Sequence, residues 1–487
     1  MVMEDLIRDS YEAVIGLEIH VQLNTRSKIF SSDPVSFGEA PNTQVSIVSL
    51  GYPGTLPVLN REVIAMGLRM AIACHGELSR VQHFDRKNYF YPDLPKGYQL
   101  TQDRAPLCRG GYLAVPARDG MKKIALEKIH MEEDAGKSLH DSGSEDTLVD
   151  FNRAGIPLLE IVTKPVITSP ADAAAAVSEV RKIVRFLGIS DGNMEEGSLR
   201  CDANVSIRPR GSTVLGQKVE IKNLNSTRNL SHALAYDIER QIELAEAGHP
   251  VTTETRGFDV AAGKTFSQRV KEGLHDYRYF PDPDLTPVEV SDEWLKEIRA
   301  SMPMLPEAWY DRMVKVHQLS AADALVVTET AAEAEYFEKL IAAGVAAKPA
   351  ANWMMGPVKS LRNERDWSIA DFPMAPTSLA GVILLVEAHR VSFSAAATKL
   401  LPAMAGDPGL APEAMAEKLE ILLDADDNSL EQVVAGVLRE FPLKVEAYKE
   451  GKKGIVAMFM GEVMKRTGGK ADPRKANELI VKKLSVA

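Results

Sequence analysis

Three segments of the sequence alternate apolar and polar residues without a break, and this pattern restricts the fold more than any other feature. In residues 15–23 every odd-numbered residue is apolar, and the even-numbered residues are Gly, Glu, His and Gln. Residues 198–208 and 219–223 repeat the alternation. A period of two is that of a β-strand with one buried face and one polar face. The sequence therefore predicts a sheet with ionisable side chains on one face.

The first of these strands presents Glu18 and His20 on its polar face. Alternate residues of a strand lie roughly 6–7 Å apart, a spacing that suits joint binding of one cation. The other two strands present charged and amide side chains, namely Arg200, Asp202, Asn204 and Lys222. Half-buried strands that face water alternate in the same way, so the pattern of each strand alone indicates structure rather than function.

Two acidic features point to a cation. Residues 130–138 contain three carboxylates, an imidazole, a glycine and a lysine. Neighbouring carboxylates repel one another, so this run is either a solvated turn or a site for Mg2+. Glu160 lies within the apolar segment 156–162, and a buried carboxylate needs a partner. The sequence leaves two partners open for it, an arginine such as Arg153 or a bound metal.

Two loops, 85–93 and 276–284, combine aromatic and charged residues. Arg86 and Lys87 beside tyrosines suit stacking on a nucleotide and holding a phosphate, and the alternative is rigid loops packed on the core. Residues 136–138 are Gly-Lys-Ser, but Met131 occupies the position of the first P-loop glycine. The sequence also lacks dinucleotide-binding, nucleophile-elbow and HExxH motifs. A carboxylate-rich face with Arg and Lys remains as a way to hold Mg-ATP.

Helical periodicity occupies residues 170–187 and the stretch near 225–248, between the predicted strands. Beyond about residue 287 the sequence is rich in Ala, Leu, Glu and Met at helical spacing, as in residues 321–343. Residues 406–409 indicate a boundary, and residues 412–423 are predicted to form the first helix after it. We therefore predict an α+β fold of three parts. These are a catalytic domain with a curved-sheet cradle over residues 1–290, a helical domain over 291–405 and a small helical tail domain over 409–487.

The net charge of −11 argues against a protein that coats nucleic acid nonspecifically. The tail differs, because residues 444–487 contain eleven basic and five acidic side chains, a net charge of +6. Three widely separated cysteines favour neither a disulfide framework nor a zinc knuckle and fit a reducing cytoplasm. The most apolar run, residues 379–386, is too short to span a membrane, so we expect a soluble cytoplasmic protein.

Five segments of the chain, 16–20, 85–99, 130–138, 195–202 and 276–281, resemble in order the signature blocks of one family. Over essentially its whole length the sequence is similar to the B subunits of glutamine-dependent aspartyl/glutamyl-tRNA amidotransferases. The resemblance implies an ATP-dependent carbon–nitrogen ligase that converts Glu-tRNA(Gln) or Asp-tRNA(Asn) into Gln-tRNA(Gln) or Asn-tRNA(Asn). In such an enzyme ATP phosphorylates the side-chain carboxylate, and ammonia then displaces phosphate. Phosphate is a far better leaving group than the oxygen of a carboxylate that has not been phosphorylated.

The resemblance also implies partners and site residues. An amidase-like A subunit would release ammonia from glutamine, and a small C subunit would complete a heterotrimer. Carried onto this sequence, the family's Mg2+ ligands fall on His20, Glu133 and Glu160, and Glu18 close by would complete the catalytic set. We expect contacts to ATP or to the aminoacyl end of the tRNA from Arg86, Lys87, Arg200, Asp202, Asn204 and Lys222.

One region departs from the family. Many relatives bind structural zinc through paired cysteines, whereas this chain has Ser31, Asp33, Ser46 and Ser49 in the corresponding stretch. Serine and aspartate cannot replace a tetrathiolate site. We therefore predict that no zinc is bound and that packing alone holds this region.

The resemblance implies that the tail domain binds the outer body of tRNA, and this suggests that the basic tail of this chain contacts tRNA phosphates. Residues 451–454, Gly-Lys-Lys-Gly, form a basic turn before a helix, a favourable place for phosphate. We expect tRNA contacts from Lys452, Lys453, Lys465, Arg466 and Lys470. Lys-rich helices are also commonly solvated faces without a ligand. The alternative function for the whole chain is a noncatalytic tRNA-binding module whose acidic cluster is structural.

Overall fold

A computed structural model describes residues 10–117, 120–140, 146–270, 277–423, 427–468 and 471–486. Contacts within the chain divide it into two compact units, Met1–Ala308 and Trp309–Ala487. The first unit contains the sheet with its helices, and the described part of the second unit is helical. This combination confirms the α+β fold class. The boundary between a helical domain and a tail domain at residues 406–409 stays a prediction.

Among the residues that the structure describes, the strands all lie in the first unit. In chain order they are β1 (Tyr11–Gln22), β2 (Glu77–Leu78), β3 (Val81–Gln82), β4 (Asp85–Asn88), β5 (Tyr98–Thr101), β6 (Cys108–Arg109), β7 (Tyr112–Ala117), β8 (Gly120–Glu133), β9 (Lys137–His140), β10 (Thr147–Asp150), β11 (Pro157–Thr163), β12 (Leu199–Pro209), β13 (Val219–Lys222), β14 (Glu254–Asp259), β15 (Lys264–Val270), β16 (Arg278–Pro281) and β17 (Val288–Glu289).

The main sheet follows the order β15-β14-β13-β12-β1-β11-β8-β5-β4-β16. Neighbours along this path are antiparallel except for β13 and β14, which are parallel. The three alternating segments of the sequence become the adjacent strands β1, β12 and β13. Their polar residues therefore form one continuous face, because side chains of paired strands stay in register.

Four helices complete the described part of the first unit: α1 (Arg61–Ala73), α2 (Pro170–Phe186), α3 (Thr227–Glu246) and α4 (Asp292–Ala300). Each begins after a side chain that accepts a hydrogen bond from a backbone N–H of the first turn, and these side chains are Asn60, Ser169, Ser226 and Ser291 respectively. Helix α2 packs against α3 and β7, and α3 packs against β12.

The apolar faces of the strands and helices share one core. Leu17 and Ile19 of β1 have no exposed surface, and neither do Val177 and Val180 of α2 or Leu230 of α3. Fully burying such a side chain stabilises the fold by about 1.5–3 kcal/mol. The apolar residues are therefore held against the helices, and the polar residues of the same strands lie on the opposite face of the sheet.

The second unit is built from short helices, and α5 starts just before its boundary. They are α5 (Pro306–Lys315), α6 (Ala321–Val327), α7 (Ala331–Ala342), α8 (Ala347–Trp353), α9 (Lys359–Arg365), α10 (Pro376–Glu387), α11 (Phe393–Ala395), α12 (Leu401–Gly406), α13 (Pro412–Lys418), α14 (Asp427–Glu440), α15 (Pro442–Lys449), α16 (Val456–Arg466) and α17 (Pro473–Val486). Met354–Val358 and Ala396–Leu400 are π-helical, and Lys453–Ile455 is a 3-10 turn. In the described ranges, a membrane-spanning helix is ruled out by length and hydropathy.

The last helices of the chain have a core of their own. Val434 and Val437 of α14, Phe459 and Val463 of α16 and Ile480 of α17 have no exposed surface. Because these apolar residues face inward, the charged residues of the same helices are left on the outside, as expected for amphipathic helices.

Candidate active site

Strand register places four ionisable residues side by side on the polar face. His20 of β1 lies opposite Arg200 of β12 on one side and opposite Glu160 of β11 on the other. Glu160 in turn lies opposite His130 of β8. Residues directly opposite in antiparallel strands project on the same side of the sheet. A row of charged and titratable groups therefore crosses four adjacent central strands.

Three side chains in this region converge on one point. His20, Glu132 and Glu160 each offer one potential ligand atom, and these atoms all lie within 4.8 Å of one another. His20 Nε2 is 3.6 Å from Glu132 Oε1 and 3.6 Å from Glu160 Oε2. Glu132 is buried, and the other two residues are partly exposed. Two carboxylates and one imidazole form a donor set suited to a divalent cation.

Glu133, which was expected to be a ligand, is not part of this group. Its carboxylate lies 2.5 Å from Lys96 Nζ and accepts a hydrogen bond of 2.9 Å from the backbone N–H of Leu100. Successive residues of a strand point to opposite faces of the sheet. Glu132 therefore takes the position next to His20, whereas the carboxylate of Glu133, the ligand predicted from the sequence, is directed to the opposite face.

The sequence contained a signal for the different faces of Glu132 and Glu133. Ile129 and Met131 are apolar in the sequence, and both are fully buried in the structure. The Met131 side chain lies next to Gly67 of α1, on the core side of the sheet. A period of two continued from them puts Glu133 on the core side and Glu132 on the polar side. The same period adds His130 to the polar face, a residue that was not predicted as part of the site.

The imidazoles of His130 and His20 lie close to the carboxylates of Glu132 and Glu160. Burial alone would lower the pKa of His130, but hydrogen bonds with Glu132 and Glu160 raise it to about 9. The pKa of His20 is also raised, because Glu160 and Glu132 outweigh the effect of burial. Burial acts to raise the pKa of Glu160, yet hydrogen bonds from His130 and His20 hold it well below its usual range. Compensating charge therefore keeps Glu160 ionised.

Arg153 was one of the two partners left open for Glu160, and it binds elsewhere. Its guanidinium donates to the backbone carbonyls of Ala135 at 3.0 Å and Gly136 at 2.6 Å, and Nε lies 3.7 Å from Asp134 Oδ2. The contacts of Glu160 are instead the two imidazoles. This arrangement excludes the Arg153 ion pair as the partner of Glu160.

Arg200 connects β12 to the residue that follows β8. Its Nη2 donates to Asp134 Oδ2 at 2.7 Å, and Gln22 Nε2 donates to the same oxygen at 3.0 Å. Asp134 is buried, whereas the Arg200 side chain is 37% exposed. A guanidinium that is anchored at one end and partly exposed can also contact an anionic ligand beside His20.

The other predicted polar residues form separate pairs on the same face. Glu18 accepts a hydrogen bond of 2.9 Å from Asn204 Nδ2 and lies outside the group of His20, Glu132 and Glu160. Lys222 Nζ lies 3.0 Å from Asp202 Oδ2. The side chain of Lys222 also contacts Glu220, and these two carboxylates raise its pKa although burial opposes them. The polar face thus carries alternating charges beside the converging side chains.

Part of each predicted aromatic loop is a strand of the main sheet, because residues 85–88 form β4 and residues 278–281 form β16, and the two strands pair with each other. Arg86 donates to Asp282 at 2.6 Å and to Asp284 at 3.0 Å, and its guanidinium lies 4.4 Å from the ring centre of Tyr98. Lys87 Nζ lies 4.9 Å from the ring centre of Tyr277. For Arg86, these contacts favour the alternative of a rigid, packed segment, and that segment is strand β4 rather than a loop. Residue 276, the start of the second loop, lies outside the described residues.

The region without cysteines is held by hydrogen bonds around Asp33. Ser49 donates its hydroxyl to Asp33 Oδ2 at 2.5 Å, and the backbone N–H of Ser46 donates to the same oxygen at 2.9 Å. Ser31 and Ser49 hydroxyls are 3.0 Å apart. These bonds hold the pKa of Asp33 below its usual value, although burial opposes them. Packing alone was expected here, and the structure adds a polar network to it.

Fully buried Lys28 lies beside this network. Its Nζ donates to the backbone carbonyl of Phe151 at 3.4 Å, and burial lowers its pKa to about 8 against the attraction of Asp33 and Glu133. Lys28 and Lys96 line one cavity together with Glu133. The two lysines therefore border the same cavity as Glu133, and His20 is not among the described residues that line it.

The predicted tRNA-binding residues of the tail are at the surface where the structure describes them. Lys452, Lys453 and Lys465 are exposed. Arg466 forms an ion pair with Glu440 and remains partly accessible, with 32% of its side chain exposed. Lys470 lies outside the described residues. Surface position alone is compatible with both a solvated face and a phosphate-binding face.

Comparison with known proteins gives a match over both units. Residues 13–296 match the family model for the GatB/GatE catalytic domain, and residues 335–484 match the model for the GatB domain. The aspartyl/glutamyl-tRNA(Asn/Gln) amidotransferase B subunit of Geobacter sulfurreducens is 46% identical over 481 residues, which cover 98% of this chain and 99% of that protein. The B subunits of Thermosynechococcus vestitus and Acaryochloris marina are 45% and 44% identical, and the matches cover 98% and 99% of this chain and 97% and 100% of those proteins. The chain belongs to the B-subunit family of the aspartyl/glutamyl-tRNA(Asn/Gln) amidotransferases.

Proposed function

We propose that this chain binds Mg2+ and ATP on the polar face of its sheet and activates the side-chain carboxylate of Glu-tRNA(Gln) or Asp-tRNA(Asn) for amide formation. The observation that carries the proposal is the convergence of His20, Glu132 and Glu160 within 4.8 Å. Membership in a family of tRNA-dependent amidotransferase subunits supports the class of substrate.

The donor set fits a divalent cation. Mg2+ prefers oxygen ligands and is commonly bound by one or two carboxylates together with substrate phosphates and water. Glu132 and Glu160 provide two carboxylates, and His20 Nε2 lies 3.6 Å from both. A bound Mg2+ would neutralise the negative charge that develops on the transferred phosphoryl group.

Cationic side chains on the neighbouring strands suit the anionic substrates. Arg200 and Lys222 are each paired with carboxylates and partly exposed. In this proposal they orient the phosphates of ATP and the aminoacyl carboxylate, since oriented cations stabilise phosphoryl transfer through electrostatics rather than through covalent chemistry. Asp202, Asn204 and Glu18 would contribute hydrogen bonds at the same face.

The proposed reaction has two steps. An oxygen of the aminoacyl carboxylate bonds to the γ-phosphorus of ATP while the bond from that phosphorus to the bridging oxygen breaks, which gives an acyl phosphate and ADP. Ammonia then attacks the carbonyl carbon, loses a proton and displaces phosphate. The product is the side-chain amide on the tRNA.

Ammonia is proposed to come from a partner glutaminase, the A subunit, with a small C subunit completing the complex. The naming of the relatives as B subunits supports a multisubunit enzyme. The basic tail is proposed to bind the body of the tRNA through Lys452, Lys453 and Lys465, which are exposed. In this proposal the partner subunit supplies ammonia, the tail binds the tRNA, and the sheet of this chain activates the carboxylate.

A reconstituted complex with the A and C subunits tests the proposal. With glutamine, ATP and Glu-tRNA(Gln), the wild-type chain is expected to support amide formation and stoichiometric ATP consumption, and Glu160→Gln is expected to abolish both. The same assay with Asp-tRNA(Asn) determines whether the second substrate is accepted. A wild-type complex that makes no amide and consumes no ATP would support the alternative, a noncatalytic tRNA-binding module.

A further inference from the structure

His130 contacts both carboxylates of the converging group from the buried side. Its Nε2 lies 3.0 Å from Glu160 Oε2 and 3.7 Å from Glu132 Oε2. The His130 side chain is 6% exposed, whereas that of His20 is 22% exposed. The two carboxylates therefore lie between two imidazoles, one buried and one accessible.

The two carboxylate oxygens of Glu132 have different contacts. Oε2 accepts a hydrogen bond of 3.3 Å from the Thr101 hydroxyl and is the oxygen nearest His130. Oε1 is the oxygen that lies 3.6 Å from His20. One edge of the carboxylate is held by the protein, and the other edge remains directed at His20.

The surroundings of His130 show that its Nε2 carries a hydrogen in the contact with Glu160. Nδ1 is buried and, among the described residues, has no hydrogen-bond partner. Nε2 faces the carboxylate of Glu160, which can only accept when ionised. Nε2 is therefore the nitrogen that carries the hydrogen in this contact, and a nitrogen with a hydrogen has no lone pair to bind a metal. His130 also lies outside the group whose ligand atoms are within 4.8 Å of one another.

We propose that His130 is a positioning residue: it donates a hydrogen bond from Nε2 to Glu160 and thereby fixes the carboxylate for cation binding without becoming a ligand. Hydrogen bonds to ligating groups orient them, and loss of such a bond typically costs about 10–100-fold in metal affinity. This inference rests on the proposed function, because it needs a divalent cation at His20, Glu132 and Glu160.

Two substitutions test whether the hydrogen bond from Nε2 or the volume of the His130 side chain supports cation binding. Glutamine at position 130 can place an N–H donor near the position of Nε2, whereas methionine fills similar volume without a donor. We expect His130→Met to weaken Mn2+ binding by the full chain at least about tenfold, measured by electron paramagnetic resonance of free Mn2+. His130→Gln is expected to stay within about threefold of wild type. His249→Met, an exposed histidine on another surface, serves as the matched control and is expected to match wild type.

The reconstituted complex gives a second measurement. The Mg2+ concentration for half-maximal amide formation is expected to rise in His130→Met by the same factor as the Mn2+ dissociation constant, while KM for the aminoacyl-tRNA stays unchanged. Thermal unfolding of each variant shows whether the fold is intact.

The outcomes distinguish this inference from the proposed function. Wild-type protein that does not bind Mn2+ would overturn the cation site itself. Binding by wild type together with equal loss in His130→Gln and His130→Met would identify His130 as a ligand and overturn the positioning role. Unchanged Mn2+ binding in His130→Met would mean that His130 only fills space beside the carboxylates, and this result would also overturn the inference.

Discussion

Glu132 and Glu133 are consecutive in the sequence, yet their carboxylates lie on opposite faces of one sheet and have different partners. Glu132 lies near His20, and Glu133 lies 2.5 Å from Lys96. The two residues share charge, size and strand, so they form a natural pair for testing which face binds the cation.

The first prediction compares the two glutamine variants. Glu132→Gln removes a charged ligand atom and is expected to weaken Mn2+ binding by more than about tenfold, a loss at least as large as that for a supporting hydrogen bond. Glu133→Gln is expected to leave Mn2+ affinity within about threefold of wild type, since its partner is Lys96. Titration of each purified variant with Mn2+ provides the measurement. Loss of binding in Glu133→Gln alone would restore the ligand set read from the sequence.

The second prediction concerns pH and Lys28. Burial lowers the pKa of Lys28 to about 8 from an ordinary value of 10.5. Between these values the unfolded chain holds a proton that the folded chain has released, so the free energy of unfolding rises with pH through this amine. Relative to Lys28→Met, wild type is expected to gain up to about 1.4 kcal/mol per pH unit in this window, measured by urea unfolding from about pH 7 to 10. A difference between the two proteins that does not change with pH would contradict the lowered pKa.

The third prediction concerns the hydrogen bonds around Asp33. Ser49→Ala removes the hydroxyl that donates to Asp33 Oδ2 at 2.5 Å and is expected to destabilise the chain by about 1–3 kcal/mol. Thr43→Ala removes an exposed hydroxyl that donates to a backbone carbonyl in the same region and is expected to cost less than about 0.5 kcal/mol. Urea unfolding of the two variants measures both values. Equal stability of the two variants would mean that packing alone holds the region.

The fourth prediction concerns zinc at the same place. Asp33 Oδ2 already accepts two hydrogen bonds, and serine hydroxyls do not substitute for thiolates in a structural zinc site. Purified protein is therefore expected to contain no stoichiometric zinc. Elemental analysis after dialysis without chelator provides the measurement, and one zinc ion per chain would contradict this expectation.

The fifth prediction concerns the tail. Lys452→Glu combined with Lys453→Glu reverses two exposed charges and is expected to weaken tRNA binding at low salt and to reduce the slope of log affinity against log salt by about 2. Lys296→Glu combined with Lys315→Glu changes the same net charge at exposed positions elsewhere and is expected to leave the slope unchanged. An unchanged slope in the tail variant would indicate that the tail lysines are merely solvated. Point substitutions are preferable to deletion of residues 409–487, because α13 packs on α10 across that boundary.

The sequence was most informative where the signal is local. Alternation in residues 15–23, 198–208 and 219–223 predicted β1, β12 and β13, because side-chain direction along a strand follows directly from residue parity. Helix α2 was equally readable from Ser169, whose side chain accepts from the backbone N–H of Asp172. These features depend on a few neighbouring residues and need no knowledge of the rest of the fold.

Prediction was weaker where partners are distant in sequence. His130 and Glu160 are brought together by the pairing of β8 with β11, and residue spacing alone does not give that register. The continuous helical pattern of residues 321–343 is interrupted in the structure, because Thr330 accepts from the backbone N–H of Glu333 and starts α7. The predicted helix 412–423 likewise ends early, since Glu420 adopts a φ of 54°.

The register of the central strands has a consequence for synthesis of the chain. His20 is among the first residues of the fold, whereas its partner Glu160 follows 140 positions later and reaches it only through pairing of β1 with β11. A ribosome that has made β1 and β8 has therefore not yet supplied the last donor of the group. A cation that needs all three donors can therefore bind only after β11 has been made, and it cannot assist folding of the chain before that point.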